Sequence, residues 1–370
     1  MTARTARTVF ITGVTGLLGG DALACMLGAD ASLRAFALVR DIARWRAAAA
    51  RLGVGAKRVT PVLGDLRAPG LGIDREVRAR LSREVQAVVH LAADTCFSRP
   101  LAEARAVNVE GTRRLLELAD GWPAAERFAL VSTAFVAGRR TGPVGEGETG
   151  DGTAGWVNAY EQSKFEAEAL VRTYAREWVV LRSSTVVCDA RTGVVAQFNA
   201  VHRALRLYHR GLASVMPGSE DSPVDVVPSD YVSAAVAELA LRAELGGETL
   251  HLCAGAGALP LGELLDITYE LWATAPAWRR RAISRPALTD LATYRLFERT
   301  VEETGDPTLK RLTRALSHFI PQLALPKRFA TARADAALGR SAPAVRSYWG
   351  RMVEHLMVTD WGTLLPRAAA

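Results

Sequence analysis

The segment TVFITGVTGLLG, residues 8–19, decides how this chain folds. Its first half is β-branched and apolar, which is typical of a buried strand. Gly13, Gly16 and Gly19 then recur at every third position. Glycine at such positions lets the chain turn sharply, brings backbone N–H groups close to a phosphate and packs the next helix on the sheet. A helical pattern follows at residues 18–28, so the segment predicts a strand, a phosphate-binding loop and a helix N-terminus.

Short β-branched runs alternate with helical stretches through much of the remaining chain. Near-continuous apolar strands separated by helices predict a parallel sheet that is covered by helices on both faces. We therefore predict an α/β fold, a doubly wound parallel sheet of the Rossmann type, with a smaller and mainly helical C-terminal portion. The predicted strands are residues 8–13, 36–40, 59–65, 87–93, 128–133, 178–184 and 249–253.

The residues after the second predicted strand indicate which dinucleotide the loop holds. Arg40 and Asp41 follow this strand, and Arg44 lies one helical turn further on. An arginine at this place pairs with the 2′-phosphate of NADP, whereas a carboxylate binds the ribose of NAD. The arginines favour NADPH over NADH. In the alternative interpretation, Asp41 binds the ribose and both arginines are surface residues.

Further cofactor contacts are predicted where the other strands end, because ligands of parallel sheets bind at the carboxyl ends of the strands. Asp65 and Leu66 follow the third strand and are expected to border the adenine. Ala92 and Ala93 follow the fourth strand and are small enough for the cofactor to lie against the backbone. The predicted cofactor-binding residues are Gly13, Thr15, Gly16, Leu18, Gly19, Arg40, Arg44, Asp65, Leu66, Ala92 and Ala93.

A tyrosine and a lysine stand four residues apart in NAYEQSKFEAE, residues 158–168. The chain has 46 basic side chains, and nearly all are arginine, so a lysine at this spacing from Tyr160 is unexpected by chance. On a helix, positions i and i+4 share one face. An ammonium near a phenol lowers the pKa of the phenol toward neutrality. Tyr160 and Lys164 therefore predict a proton donor and its electrostatic partner.

These residues, together with the glycine loop, resemble the extended short-chain dehydrogenase/reductase family. In that family the tyrosine is the general acid, and the lysine binds the nicotinamide ribose and lowers the pKa of the tyrosine. A serine or threonine at the end of the fifth strand holds the substrate oxygen. The resemblance implies that Thr133, Tyr160 and Lys164 are catalytic, and it adds Lys164 to the cofactor-binding residues.

Two longer segments resemble a narrower branch of this family. Residues 90–119 and 223–236 are similar to segments of fatty acyl-CoA reductases and of the reductase domains that release thioesters from carrier proteins. Asn108 matches the internal asparagine that braces the active-site helix in the family. Ser183 and Ser184 depart from the family, which usually has a proline soon after the preceding arginine. The resemblance implies NADPH-dependent reduction of an acyl thioester, on coenzyme A or an acyl carrier protein, to an aldehyde, and leaves open whether an alcohol follows.

The second half of the chain changes to helical patterns, at residues 261–272, 307–320 and 345–357. Their apolar residues recur at intervals of three and four, which indicates one buried face on each helix. We predict an NADP-binding Rossmann domain at residues 1–257, within which 190–222 contributes to a substrate cap, and a helical substrate-binding portion at 258–370.

Three side chains in or near the predicted pocket are interpreted as wall residues. His202 and His209 lie seven apart on one predicted helical face, and such histidines more often pack than react. Cys96 follows the fourth strand, but no base is evident beside it.

Composition narrows the class of protein. With 49% apolar and 23% charged residues, the chain can bury a large core. The four cysteines form no Cys-x-x-Cys pair, which argues against a metal site and favours a reducing cytoplasm. An apolar run at residues 9–20 superficially resembles a secretion signal, but it is rich in glycine, and no stretch reaches the roughly 18 apolar residues that a transmembrane helix needs.

The net charge of +7 raises the question of an acidic partner. A nucleic-acid partner is not expected, because the only dense basic patch, residues 278–285, lies outside any recognisable nucleic-acid module. The patch is interpreted as a solvated arginine-rich face, although a basic rim also suits coenzyme A or an acidic carrier protein. The oligomeric state stays open.

Two alternative functions share the same motifs. The first is a ketone or sugar-nucleotide oxidoreductase or epimerase of the same family. The second is a non-catalytic cofactor-binding protein, against which the complete set of Thr133, Tyr160 and Lys164 argues.

Overall fold

The computed structural model describes residues 7–55, 57–150, 152–212, 214–305, 307, 310, 313–314, 317 and 319–362. Its strands are β1 (Thr8–Thr12), β2 (Arg34–Val39), β3 (Val59–Leu63), β4 (Ala87–His90), β5 (Arg127–Thr133), β6 (Gly142–Val144), β7 (Glu177–Ser183), β8 (Thr185–Val186), β9 (Val215–Pro217), β10 (Pro223–Val224), β11 (Val226–Val227), β12 (Glu248–Leu252), β13 (Leu259–Pro260), β14 (Ala287–Thr289) and β15 (Lys327–Phe329).

The helices follow the same numbering along the chain. They are α1 (Gly19–Ala29), α2 (Ile42–Arg51), α3 (Arg75–Glu84), α4 (Leu101–Asn108), α5 (Glu110–Asp120), α6 (Ala159–Arg172), α7 (Ala200–His209), α8 (Ser229–Leu239), α9 (Leu261–Ala273), α10 (Pro276–Arg279), α11 (Leu291–Thr304), α12 (Ala332–Leu338) and α13 (Arg346–Val358). Short 3-10 helices lie at Pro69–Gly72, Ala134–Ala137, Ala243–Leu245, Gly255–Gly257 and Ile320–Ala324.

Seven strands form one sheet in the order β12-β7-β5-β4-β1-β2-β3, and every adjacent pair is parallel. The predicted doubly wound parallel sheet is thereby confirmed. The strand order reverses at β1, which pairs with β2 on one side and with β4 on the other. In sheets of this kind a crevice opens at the carboxyl ends of the strands where the order reverses, and nucleotides bind there.

Each strand of the sheet corresponds to a predicted strand, with ends that differ by a few residues. The fourth predicted strand, for example, extends to Ala93, whereas β4 ends at His90. The difference has a local cause, because the N–H of Ala92 donates to the side chain of Thr12 at 3.0 Å. The backbone beyond His90 therefore leaves the strand ladder at the rim of the crevice.

Strand β1 shows why helices must cover both faces of the sheet. All five of its residues are buried. Val9 and Ile11 lie in one hydrophobic cluster and Phe10 lies in another, because successive side chains of a strand point to opposite faces. The cluster around Val9 continues into the C-terminal portion through Trp272 and Trp349. The C-terminal helices thus pack on the same core as the sheet.

The C-terminal portion contains two of the three predicted helices, as α9 and α13. These helices pack together, and the indole N–H of Trp349 donates to the hydroxyl of Thr268 at 2.8 Å. Half of the predicted helix at 307–320 lies outside the described residues, as does the end of the chain at 363–370. Within the described ranges, no helix is long and apolar enough to cross a membrane.

The segment that was predicted to contribute to a cap contacts the C-terminal portion. Strand β9, within residues 190–222, pairs in parallel with β14. The indole N–H of Trp278 also donates to the carbonyl oxygen of His209 at 2.8 Å. The division of the chain after residue 257 stays a prediction.

Candidate active site

The glycine loop lies where β1 and β4 end, and its geometry leaves no room for side chains at two positions. Gly13 has a φ of +79°, and a Cβ at this residue would lie 2.7 Å from the backbone nitrogen of Ala92. A Cβ on Gly19 would overlap the carbonyl oxygen of Gly13. Gly16 closes the turn by donating its N–H to the Gly13 carbonyl at 2.9 Å. The residues present therefore fit a dinucleotide, because bare backbone lines the crevice at the start of α1.

Three other predicted contact residues, Thr15, Leu18 and Ala93, are half-buried at the same crevice. The side chain of Leu18 packs against the sheet cluster. Its carbonyl oxygen accepts a hydrogen bond from Ser233 on α8 at 3.3 Å. Helix α8 thus supports the loop from behind.

The end of β2 holds the residues on which the two interpretations of the cofactor depend. The carboxylate of Asp41 caps helix α2, accepting from the N–H of Ala43 at 2.7 Å and from that of Arg44 at 3.1 Å. Arg40 and Arg44 are both exposed, and neither takes part in an ion pair within the described part of the chain. The carboxylate that could bind a ribose is engaged in the helix cap, while the two guanidinium groups face solvent.

The residues after β3 behave differently from each other. Asp65 forms an ion pair with Arg67 at 2.8 Å. Its pKa lies below the ordinary value, first because of the hydrogen bond from Arg67 and also because of the charge of Arg40. The side chain of Leu66 is buried in the core, next to Gly111. A cofactor contact from Leu66 would therefore come from its backbone.

Thr133 and Tyr160 meet at the end of β5. Asn158 caps helix α6 and accepts the N–H of Glu161 at 3.0 Å, which places Tyr160 in the first turn. Burial raises the pKa of Tyr160 above its ordinary value, and a hydrogen bond with Thr133 offsets only part of the rise. The net shift of this pKa is upward, because burial outweighs the hydrogen bond, and the lowering of the pKa by Lys164 stays a prediction. A tyrosine that keeps its proton at neutral pH can act as a proton donor.

Lys164 is buried on the same face of α6, one turn after Tyr160. Its ammonium donates to the carbonyl oxygen of Val131 in β5 at 2.9 Å. Burial lowers the pKa of Lys164 to about 8, and the charge of Glu168 opposes this shift. Arg182, on the neighbouring strand β7, holds Glu168 with contacts of 2.7 and 3.0 Å. The lysine and its counter-ion are thus fixed to adjacent strands.

Asn108 braces helix α6 as the resemblance implied. Its amide group donates to the carbonyl oxygen of Asp94 at 3.0 Å and to the hydroxyl of Ser163 at 2.9 Å. Its side-chain oxygen accepts the N–H of Asp94 at 2.8 Å. Ser163 in turn donates to the carbonyl oxygen of Tyr160 at 3.0 Å. One buried amide therefore joins the loop after β4 to the turn that carries the tyrosine.

A buried histidine that the sequence analysis did not select lies behind this amide. His90 contacts the hydroxyl of Thr12 at 2.7 Å through Nδ1 and that of Thr112 at 3.1 Å through Nε2. Thr112 donates its proton to the carbonyl oxygen of Asn108, so Nε2 must carry the hydrogen and Nδ1 must accept. Burial, and secondarily the charge of Lys164, lowers the pKa of His90 to about 3. A neutral imidazole thus links the ends of β1 and β4 to α5. The sequence signal for this role is that His90 ends a strand whose other residues are apolar.

The three predicted wall residues take part in capping, ring packing and a hydroxyl contact. His202 accepts the N–H of Asn199 at 3.0 Å and completes the cap of α7. His209 packs among aromatic rings, with its centroid 5.1 Å from those of Trp272 and Trp361. Cys96 is exposed, and its sulfur contacts the hydroxyl of Ser98 at 3.4 Å.

A dinucleotide crevice that opens toward a tyrosine and a lysine on one helix defines an NAD(P)-dependent oxidoreductase of the extended short-chain dehydrogenase/reductase class. The sequence pattern of the Male sterility protein family matches residues 11–236, which is more than half of the chain. The chain belongs to this family and to its thioester reductase branch.

Several known proteins are similar to this chain. A polyketide synthase-nonribosomal peptide synthetase of Pyricularia oryzae is 30% identical over 278 residues, which is 71% of this chain and 7% of that protein. The L-2-aminoadipate reductase large subunit of Penicillium chrysogenum is 27% identical over 286 residues, which is 70% of this chain and 20% of that protein. The chain therefore spans only a small part of the length of these relatives.

Solved structures of similar length also resemble the chain. The terminal R domain from the myxalamid PKS-NRPS biosynthetic pathway superposes with a TM-score of 0.78 at 27% identity, covering 100% of this chain and 94% of that domain. The UDP-glucuronic acid 4-epimerase of Bacillus cereus, solved with NAD, has a TM-score of 0.63 at 15% identity and covers 95% of this chain and 99% of its own. The second likeness shows the fold alone.

Proposed function

We propose that this protein reduces acyl thioesters with NADPH and releases an aldehyde. The observation that carries the proposal is the meeting of Thr133, Tyr160 and Lys164 at the end of β5, beside the dinucleotide crevice. The likeness to a terminal R domain, at 27% identity over the whole chain, supports a thioester as the substrate. Because the curated relatives are much longer proteins, the proposed activity rests on the residues of the present chain and not on the activities of those relatives.

The proposed residues supply hydrogen bonds, a proton and a fixed charge. NADPH, when bound, supplies a hydride to the carbonyl carbon of the thioester. Thr133 and Tyr160 donate hydrogen bonds to the carbonyl oxygen, which gains negative charge as the carbon becomes tetrahedral. Cleavage of the C–S bond then restores the carbonyl group as an aldehyde and releases the thiol. One thioester, one NADPH and one proton give one aldehyde, one thiol and one NADP⁺.

The preference for NADPH rests on the residues after β2. Arg40 and Arg44 are exposed at the place where a 2′-phosphate would lie. Asp41 is engaged in capping α2, so it is a poor ribose ligand. We assign cofactor binding to these arginines, to the glycine loop, to Asp65 and to Lys164, and to the backbone of Leu66, Ala92 and Ala93.

The proposed substrate is an acyl group on coenzyme A or on an acyl carrier protein. Both carriers are acidic, and the chain has a net charge of +7. We assign binding of the acyl group to the segment 190–222 and to the residues after 257, because these two parts of the chain contact each other through β9 and β14. No nucleic-acid or membrane partner is part of this proposal.

The test is NADPH oxidation with long-chain acyl-CoA, an acyl pantetheine and the corresponding free aldehyde, each repeated with NADH. We expect turnover of the thioesters, and turnover of the aldehyde would show that reduction continues to the alcohol. Tyr160→Phe is expected to lower kcat by about 10²- to 10⁴-fold. Tyr174→Phe, a tyrosine just beyond the other end of α6, is the matched control. Turnover of ketones or nucleotide sugars without thioesters would overturn the proposal.

A further inference from the structure

A row of three aromatic rings leads away from the catalytic tyrosine. The ring centroid of Phe97 lies 5.5 Å from that of Tyr160. The ring of Phe319 is stacked on Phe97 at 6.5 Å with an angle of 11° between the planes. Phe97 and Phe319 are both half-buried, so part of each ring stays accessible. The row forms a continuous apolar surface that starts at the phenol.

The two phenylalanines reach this row from distant parts of the chain. Phe97 lies in the loop after β4, which Asn108 fixes through its two hydrogen bonds with the backbone of Asp94. Phe319 precedes the 3-10 helix Ile320–Ala324, and its carbonyl oxygen accepts the N–H of Gln322 at 2.9 Å. The position of Phe319 therefore depends on what holds Gln322.

A buried chain of polar groups holds Gln322 to the catalytic helix. Its amide N–H₂ donates to Glu161 at 2.7 Å, and its side-chain oxygen accepts the ammonium of Lys327 at 2.7 Å. Glu161, the residue after Tyr160, is 2% exposed, Lys327 is 4% exposed and Gln322 is 9% exposed. Buried polar groups of this kind are costly unless they are paired. The three side chains thus satisfy one another only when the C-terminal segment lies against α6.

A second contact fixes the same segment beside Thr133. Strand β15 pairs in parallel with β6. The ring of Phe329, at its end, packs edge-to-face on Phe135 at 5.9 Å. The N–H of Phe135 donates to the hydroxyl of Thr133 at 3.2 Å. Residues 319–329 therefore contact α6, which carries Tyr160, and the 3-10 helix that directly follows Thr133.

We propose that Phe97 and Phe319 form the wall that binds the acyl chain of the substrate, and that Gln322, through Glu161 and Lys327, positions Phe319 in this wall. The proposal rests on the thioester reductase function and names the part of the site that selects the acyl group. An apolar surface that begins at the proton donor suits the carbon atoms next to the reacting carbonyl. Phe97 and Phe319 are specificity-determining residues, whereas Gln322 is a positioning residue.

The test uses unreactive S-alkyl pantetheine thioethers of increasing chain length, so that binding is measured without turnover. The dissociation constant of each thioether is determined by calorimetry in the presence of NADP⁺. For the wild type we expect affinity to increase by up to about fourfold per added methylene group, the value for full burial of a methylene. In Phe319→Ala this dependence on chain length is expected to become nearly flat, while the affinity for NADP⁺ stays within twofold.

Two further variants separate positioning from general damage. Gln322→Met keeps the size of the side chain but removes both hydrogen bonds, and it is expected to flatten the dependence on chain length as Phe319→Ala does. Tyr174→Ala removes a half-buried ring that contacts Phe128 at 5.8 Å, and it is expected to keep the wild-type dependence.

The outcomes distinguish the wall from the proposed reaction. An unchanged chain-length dependence in Phe319→Ala, or the absence of thioether binding to the wild type, would overturn the wall. A flat dependence in Phe319→Ala with a normal one in Gln322→Met would overturn the positioning role. Chain-length-dependent binding of thioethers by a wild type that reduces no thioester would leave the wall standing and refute the reductase function.

Discussion

Helix α6 carries two buried glutamates with opposite ionisation behaviour. Glu161 and Glu168 are each 2% exposed and lie two turns apart. Burial opposes ionisation of Glu168, but the charge and hydrogen bonds of Arg182 outweigh it and hold the pKa below its ordinary value. Burial raises the pKa of Glu161 from 4.5 to about 7, because its hydrogen-bond partners are the N–H of Val157 and side-chain amides.

The comparison shows that partner type, rather than burial, sets the charge of a buried carboxylate. The interaction with the guanidinium of Arg182 outweighs the desolvation of the Glu168 carboxylate. Hydrogen bonds from neutral amides offset the desolvation of the Glu161 carboxylate only in part. The two glutamates consequently have different roles. Glu168 keeps a permanent charge near Lys164, and Glu161 joins the helix to the segment that carries Phe319.

The largest effect is expected from the lysine that Glu168 accompanies. Lys164→Met should lower kcat by about 10²- to 10⁴-fold, because it removes the ammonium that lies one turn from the proton donor. Steady-state kinetics with an acyl pantetheine measures this loss. Lys57→Met, at an exposed lysine outside the site, is the control and should retain full activity. A loss below tenfold in Lys164→Met would contradict the role assigned to this end of α6.

A large effect on stability is expected when Glu168 loses its charge. Glu168→Gln leaves the buried guanidinium of Arg182 without an ionic partner, and removing one member of a buried pair costs about 3–5 kcal/mol. Gln322→Met acts on Glu161, near the start of α6. It should lower the free energy of unfolding by about 1–3 kcal/mol, because it removes the hydrogen bonds of the Gln322 side chain with Glu161 and Lys327. Urea denaturation compares the two variants. A greater loss of the free energy of unfolding in Gln322→Met than in Glu168→Gln would contradict this expectation.

Of the two glutamates, Glu161 is the one expected to make stability depend on pH near neutrality. Its pKa is higher in the folded chain than the ordinary 4.5, so its contribution is complete below that value and is lost as the pH rises through about 7. Between about pH 5 and pH 8, the free energy of unfolding of the wild type should fall by on the order of 2 kcal/mol relative to Glu161→Gln. Denaturation at a series of pH values measures the difference. The difference in the free energy of unfolding between the wild type and Glu168→Gln, which keeps Glu161, serves as the comparison. It should show no such slope, because the lowered pKa of Glu168 changes stability only at more acidic pH.

The smallest effect is expected at Arg40, which directly follows β2. Arg40→Ala should weaken binding of NADPH by roughly tenfold and leave that of NADH unchanged, because one charge-assisted hydrogen bond to a phosphate is lost. Arg34→Ala, an exposed arginine at the opposite end of β2, is the matched control. Equal weakening of both cofactors would contradict the assignment of the 2′-phosphate to Arg40.

Features that depend on neighbouring residues were predictable from the sequence. The glycine loop is one of them, since Gly13, Gly16 and Gly19 need only a strand before them and a helix after them. Tyr160 and Lys164 were found by their spacing and Thr133 by the family resemblance. In the structure Tyr160 bonds with Thr133 and Lys164 bonds to β5, while their catalytic roles stay a prediction. The ends of the strands were predicted less exactly. For example, the N–H of Ala92 donates to the side-chain hydroxyl of Thr12, so β4 ends before this residue.

Features that depend on distant partners were not predictable. In NAYEQSKFEAE, Glu161 and Glu168 look like solvated charges of an amphipathic helix. Their burial depends on Gln322, which is 161 residues away from Glu161, and on Arg182 in another strand. The high pKa of Tyr160 escaped prediction for the same reason, since spacing along a helix reveals a charge but not the desolvation around it.

The separation of Glu161 from Gln322 also sets the order in which the site is assembled during translation. The strands up to Leu252 complete the sheet, and they bring with them the glycine loop, Thr133 and Tyr160. Gln322 and Phe319 leave the ribosome later. Because N-terminal structure generally forms first during synthesis, we expect the proposed nucleotide site to form on a nascent chain before the proposed acyl-binding wall.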